Sequence, residues 1–453
     1  MESRDLRKRL GELKAIFAAG VAAVDPYRLI RERLAAAGGF LTVLAEEEER
    51  RFDLSGFSRL LVLGAGKAAA RMALGVEEVL GGRLARGLIA VKPGHGAALG
   101  KVRVIEAGHP LPDRNSVRAA EQVLDLCRGA GEGTLFLNLI SGGASALLCL
   151  PRPPLSLEDK QETTRLLLGC GATIQEINCL RKHLSLIKGG RLAERMAPGT
   201  SLNLILSDVA GDRLDTIASG LTVPDPTTYE EARAVVLKYG LRERLPAGVA
   251  QLLEQGARGL IPETPKPGDP VFSRVNNFLL GTNRTALLAA RVRAEALGYH
   301  TVLLTSQLIG EAREAAGFLL GIGRDIRRHG LLVHRPACVI AGGETTVTLR
   351  GGGKGGRNQE LALSFLAELG EDPGGSAGLY LLSASSDGGD GPTDAAGAFA
   401  CPEFLRRAGA RGLSAREYLA RNDSYAFFAR IEGLLKTGPT NTNVCDLQIL
   451  LVT

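Results

Sequence analysis

Short runs of apolar residues alternate with helical patterns along most of this chain. The run 60–63 leads into Gly64-Ala-Gly-Lys67 and then a helix through Leu80. The run 88–91 ends at Lys92-Pro-Gly-His95, and Ser116 is placed to cap a helix whose Ala120, Val123, Leu124 and Cys127 share a face. The run 135–140 opens into Ser141-Gly-Gly-Ala-Ser145 and another helix, and the run 202–206 ends at Ser207-Asp208. Strands that are apolar throughout, each followed by a helix, predict a parallel sheet covered by helices on both faces. Ligands of such sheets bind beyond the carboxyl ends of the strands, where these glycine-rich and polar turns fall. Ahead of the alternation, helices are expected to about Arg51, including an amphipathic one at 15–24.

The pattern breaks in 245–270, where five prolines are interspersed with glycine, and a domain boundary is expected there. Apolar runs resume at 278–282, 301–304, 338–341, 379–382 and 447–452, so the second half is α/β as well. Thr/Val alternation at 345–349 predicts a further strand and a mixed sheet. Next come 351–356, all glycine except Lys354, then Arg357 and a helix marked by Leu361, Phe365, Leu366 and Leu369. Strand, glycine loop, cation and helix start would gather N–H groups and a guanidinium around a phosphate or carboxylate. The plainer reading is a flexible hairpin tip with solvated cations.

Composition narrows the function. A chain of 453 residues with 45% hydrophobic and 23% charged residues suits a soluble globular protein of more than one domain. The net charge of +6 is scattered, there is no Trp, and aromatics are 4%, which argues against nucleic-acid binding. Seven cysteines without a CxxC pair indicate neither a disulfide framework nor a zinc ribbon, so a reducing cytoplasm is the expected location. No apolar run reaches membrane-spanning length.

Gly64, Gly66 and Lys67 form a loose dinucleotide-type turn, but the next strand ends at Lys92-Pro93 rather than at a ribose-binding acid. That counts against NAD though not against NADP. No P-loop is present, and Lys67 beside helix N–H groups suits a phosphate. Its plainer alternative is a solvated surface lysine. Ser141, Gly142, Gly143 and Ser145 make a second glycine turn that departs from a nucleophile elbow and is read as an anion cradle. Asp208, Asp212 and Asp387, Asp390, Asp394 cluster after apolar runs, where carboxylates serve Mg²⁺, a general base, or ordinary turn capping. No histidine pair has zinc spacing.

Together these stretches resemble one family, the class II glycerate kinases (glycerate 2-kinases) with a C-terminal MOFRL domain. The resemblance rests on LVLGAGKAA (61–69), AGHPLPD (107–113), LISGGASALL (139–148), LRKHLSLIKGGRLA (180–193) and LILSDVAGD (204–212). It continues through GTN (281–283), AGGETTVTLRGGGKGGRNQELAL (341–363), SDGGDGPTDAAGA (386–398) and GPTNTNV (438–444). Ala144, Leu221 and Asn441 depart from the family pattern, and Asn441 is the mildest because Asn tolerates the left-handed region.

The resemblance implies a large Rossmann-like domain with a parallel sheet between helix layers, expected over 1–255. A smaller mixed α/β MOFRL domain is expected over 256–453, with the active-site cleft between the two. It implies transfer of the ATP γ-phosphoryl group to D-glycerate, giving 2-phosphoglycerate, with Mg²⁺. Lys67 and Arg357 match the family's active-site cations. Asp208 is expected as base or orienter of the glycerate hydroxyl and Glu344 with Asp387 on the magnesium side, the three carboxylate roles being interchangeable. Gly64, Gly66, Ser141, Gly142, Gly143, Ser145, Asn283, Gly355 and Gly356 are expected around substrate and phosphates. An NADPH-linked hydroxypyruvate reductase and a non-catalytic binding protein are the alternatives. The partner is expected to be a small molecule, neither nucleic acid nor membrane, with a homodimer as the assembly to test.

Overall fold

The computed structural model describes residues 4–45 and 48–453. Contacts divide the chain into two units. One takes Pro26–Ser207 and Asp212–Leu280; the other takes residues up to Asp25, Asp208–Gly211 and Gly281–Thr453.

In the first unit a helix, Pro26–Arg33, leads into an antiparallel meander of β1 (Leu34–Ala37), β2 (Phe40–Leu44) and β3 (Glu49–Asp53). The expectation of helices to Arg51 therefore fails beyond Arg33. Gly38 and Gly39, both at positive φ, turn the chain between β1 and β2. Leu41 and Val43 alternate with less buried neighbours, which is a strand period of two.

The main sheet comprises β4 (Arg59–Ala65), β5 (Leu84–Val91), β6 (Val102–Glu106), β7 (Thr134–Ile140), β8 (Thr200–Leu206) and β9 (Val275–Gly281). Its order is β6-β5-β4-β7-β8-β9, and the pairs from β6 to β8 are all parallel. β4 and β7 are central, and their inner residues Leu61, Val62, Leu135 and Leu137 are fully buried. The order reverses at β4, so the loops after β4 and β7 lie side by side. The helix Arg114–Cys127 is capped by Asp113, with Ser116 as the reciprocal member of the capping box rather than the cap itself.

β9 completes this first sheet, which moves the boundary past the proline-rich stretch, from 255/256 to 280/281. Prolines in 245–270 marked a loop-rich passage within the unit, not its end.

In the second unit the strands are β10 (His300–Leu308), β11 (Ala337–Gly343), β12 (Leu379–Ser385), β13 (Gly397–Ala400), β14 (Leu434–Leu435) and β15 (Asp446–Val452). The order is β10-β11-β15-β12-β13-β14; β10 and β11 are parallel, and every other pair is antiparallel. The sheet is mixed, as expected, though for a different reason. Residues 345–349 form no strand and make one isolated bridge, Thr346 to Glu311.

The helix Arg4–Ala23 belongs to this second unit because Gly20 lets it lie against the helix Asn283–Ala296. A Cβ at Gly20 would come within 3.0 Å of the Ala286 carbonyl oxygen. Glu12 also accepts a hydrogen bond from the Tyr299 hydroxyl at 2.5 Å. Among the described residues, no helix is long and apolar enough to cross a membrane.

Candidate active site

Candidate residues fall on both units, and each set has its own geometry. On the first unit the turns after β4 and β7 are sewn together. The Lys67 N–H donates to the Gly142 carbonyl at 2.9 Å, and the Ser141 N–H donates to the Ala65 carbonyl at 3.1 Å. The Ser141 hydroxyl accepts from the Ala68 N–H at 3.0 Å, capping from outside a helix (Ala69–Leu80) that has no cap of its own.

Gly64 and Gly66 are there for backbone approach. A Cβ on Gly64 would lie 2.4 Å from the Leu139 carbonyl, and one on Gly66 would lie 2.0 Å from the Ser141 hydroxyl. Gly66 also has φ +137°, a region that L side chains rarely enter. Gly66→Ala is therefore expected to destabilise this unit by roughly 3 kcal/mol, from backbone strain and overpacking together. Urea unfolding checks it, and a change under about 0.5 kcal/mol would remove the stitched turn as the reason for the glycine.

What this turn can offer a ligand is thus specific. Lys67 lies in the turn ahead of the helix, with a partly exposed side chain. Gly143 is left-handed, at φ +87°, and packs under His109. Among the described residues, the N–H groups of Gly142 and Gly143 donate to no protein acceptor. Ser141 is buried and its hydroxyl is taken, so it holds the loop and does not itself face a ligand. The Ser145 hydroxyl lies 2.8 Å from that of Ser219, which donates to the Asn178 side-chain oxygen at 3.1 Å. The Ser145 proton is then committed to Ser219, which leaves Ser145 an acceptor rather than a nucleophile.

On the second unit Arg357 is the first residue of the helix Arg357–Leu369. Its Nε and one terminal nitrogen form a fork on Asp446, at 2.5 and 2.9 Å. The other terminal nitrogen pairs with Glu344 at 2.8 Å. Asp446 is fully buried, whereas the Glu344 side chain is 46% exposed. Burial disfavours the guanidinium charge, but Asp446 and then Glu344 more than offset that and raise its pKa.

The N-terminus of this helix is already filled. Asp390 accepts from the N–H groups of Asn358 at 3.1 Å and Gln359 at 2.9 Å. Burial and the neighbouring Asp446 push the Asp390 carboxyl up to about 6. The phosphate cradle expected at this terminus is therefore taken by a protein carboxylate.

Gly355 and Gly356 follow the same logic: a Cβ there would lie 2.1 Å from the Ser424 hydroxyl and 2.3 Å from the Asp390 carboxyl carbon. Close packing explains both glycines without a phosphate. The rest of the loop is tied down as well, through the Gly351 N–H to Asn422 and the Lys354 N–H to Asp423.

Asn283 is buried, and its amide donates to the carbonyls of Val444 and Asp446 at 2.8 and 2.9 Å. It braces the start of β15 rather than facing a ligand. Asp208 is partly buried, with its carboxylate 3.4 Å from the Asn443 amide and its carbonyl accepting from the Cys445 thiol. Asp387 is partly buried and accepts from the Ser385 hydroxyl and the Gly389 N–H. Asn441 has φ +61°, the left-handed conformation for which Asn is among the better non-glycine residues.

Sequence reasoning missed Asp446 and assigned no role to Asp390 beyond its cluster. Asp446 is a lone acid opening an apolar strand, and nothing in that pattern reveals its partner. Among the described residues, no group of three His, Cys, Asp or Glu side chains could form a metal cage.

Comparison with known proteins gives the family. Residues 12–254 match a family described as a domain of unknown function, DUF4147, and residues 337–446 match the MOFRL family. A glycerate 2-kinase of Pyrococcus horikoshii is 40% identical over 96% of this chain and 95% of its own. A protein of Agrobacterium vitis, provisionally named as a hydroxypyruvate reductase, is 39% identical over 97% of this chain and 94% of its own. A solved glycerate kinase from Thermotoga maritima superposes with a TM-score of 0.83 at 38% identity, covering 98% of this chain and all of that one. The chain belongs to the glycerate kinase family and carries both a DUF4147 and a MOFRL match.

Proposed function

We infer that this protein is an ATP-dependent glycerate kinase that moves the γ-phosphoryl group of ATP to the 2-hydroxyl of D-glycerate. The relationship to a glycerate 2-kinase over nearly the whole of both chains carries this reading. Phosphoryl transfer asks mainly for positioning and charge stabilisation, which the residues proposed below would provide.

Lys67 serves as one cation on the phosphates, and the Gly142 and Gly143 N–H groups as neutral donors beside it. Arg357 serves as the other. Asp446 grips it from the buried side, so the nitrogen now facing exposed Glu344 is the one a phosphoryl oxygen can take. Asp208 is the base for the glycerate hydroxyl. Magnesium would enter with the nucleotide, neutralising phosphate charge and keeping water ligands, with the partly exposed Asp387 supplying a hard oxygen. Glu344, which holds that nitrogen until a phosphoryl oxygen takes it, is assigned to Arg357 rather than to the metal.

The test is ATP consumption with D-glycerate, L-glycerate and hydroxypyruvate, with and without Mg²⁺, with the product identified by NMR. Magnesium-dependent 2-phosphoglycerate from the D-isomer is expected. The name of the Agrobacterium relative makes an NADPH assay on hydroxypyruvate the direct competitor, and oxidation of NADPH without any use of ATP would replace the kinase reading.

A further inference from the structure

The first unit contains a cavity of about 190 Å³ that none of the roles above explains. Lys160, Arg181 and Lys188 line it, together with His109, Gly143 and Ser145. Among the described residues no Asp or Glu lines it. Lys160 is 6% exposed and Lys188 1% exposed. Among the described residues the Lys160 ammonium has no oxygen acceptor, and its polar neighbour is the Cys149 thiol, a weak acceptor. Among the described residues Lys188 reaches only the Ala218 carbonyl, at 3.5 Å. The contrast lies one residue from Arg181: Lys182, equally buried, is paired with Asp225 at 3.2 Å and Asp215 at 3.6 Å.

Burying ammonium groups without counter-charges is expensive, and placing them together adds mutual repulsion. The wall behind Lys188 is itself strained. Ala218 and Ser219 are both left-handed, at φ +54° and +56°, and strain of this kind in non-glycine residues gathers at ligand sites. The cavity also adjoins the Lys67 turn, because Gly143 lines it and the neighbouring Gly142 carbonyl holds the Lys67 N–H.

We propose that this cavity is the carboxylate pocket of the acceptor substrate, in which Lys160, Lys188 and Arg181 bind the carboxylate of a small hydroxy acid and select it over uncharged polyols. The proposal rests on the kinase reading and deepens it. A three-carbon acid matches the volume of about 190 Å³ and the apolar walls at Pro110, Leu111 and Ala146 better than a triphosphate does. The Ser145 oxygen, whose own proton goes to Ser219, is left to accept from a substrate hydroxyl.

A pH signature follows. Burial, then Lys160, push the empty-site Lys188 ammonium down to about 7, and Arg181 acts in the same direction while Cys149 opposes it. His109, Cys149, Lys160 and Arg181 are the other titratable groups lining the cavity. A bound carboxylate favours the protonated lysine, so binding takes up a proton above about pH 7 and affinity falls as pH rises further.

Lys160→Met and Lys188→Met test the proposal. Each is expected to raise KM for D-glycerate at least ~30-fold, leave KM for ATP within ~2-fold, and shrink the preference for D-glycerate over glycerol. Because each removes an uncompensated buried charge, the ligand-free melting temperature should hold or rise while the shift induced by D-glycerate disappears. The rise of KM for D-glycerate above pH 7 should flatten in Lys188→Met. Unchanged KM for D-glycerate, or a lower ligand-free melting temperature in both variants, would overturn the proposal. A rise in KM for ATP instead would make the cavity a phosphate site and overturn it equally. Failure of the kinase reading is seen separately, as a wild-type protein that neither turns over D-glycerate nor is stabilised by it.

Discussion

Lys67→Ala is expected to lower kcat with D-glycerate by ~10³-fold while the protein melts at the wild-type temperature. A cation on a transferring phosphoryl group carries an effect of that order, because it meets charge that spreads over the oxygens in the transition state. The substitution keeps the contacts that the Lys67 backbone makes. Its N–H holds Gly142, and its carbonyl lies 3.2 Å from the His95 ring nitrogen. Steady-state kinetics with a thermal melt decide the matter. Turnover within ~3-fold of wild type would remove Lys67 from the phosphoryl-transfer chemistry.

Asp446→Ala is expected to cost the second unit about 3–5 kcal/mol, the usual penalty for leaving one member of a buried ion pair alone. The Arg357 fork would lose its fully buried partner and keep only exposed Glu344. Calorimetry or urea unfolding reads the loss, and a change below about 1 kcal/mol would mean that Glu344 and solvent suffice. The same geometry complicates the obvious test of Arg357. Arg357→Ala strands the buried Asp446 carboxylate, so lost activity could reflect lost structure. Pairing it with Asp446→Asn removes both charges together. That double variant is expected to stay folded and still lose ~10³-fold in kcat.

The difference between Lys67 and Arg357 shows how far each was readable in advance. Both were singled out because a cation follows a glycine turn at the edge of a helix. For Lys67 the neighbouring parallel strand adds a second glycine turn alongside, which the local order did not reveal. For Arg357 it was misleading about the anion. The helix start was read as open to a phosphate, yet Asp390, 33 residues further along the chain, fills it.

Parallel strands, their helices and the family to which the motifs belong were all determined by the order of residues alone. Periodicity and turn chemistry are local properties, and uninterrupted apolar runs leave a strand few options other than burial on both faces. Tertiary structure decided the rest. It placed β9 in the first sheet and the helix Arg4–Ala23 in the second unit. It also assigned Gly64, Gly66, Gly355 and Gly356 to close packing, because a glycine that makes room for a neighbour has the same local sequence as one that makes room for a phosphate. The pairing of charges was decided there too. Lys182 found two carboxylates, while among the described residues Lys160 and Lys188 found none. Charge compensation depends on distances across the fold, and those distances are not encoded in the spacing of residues along the chain.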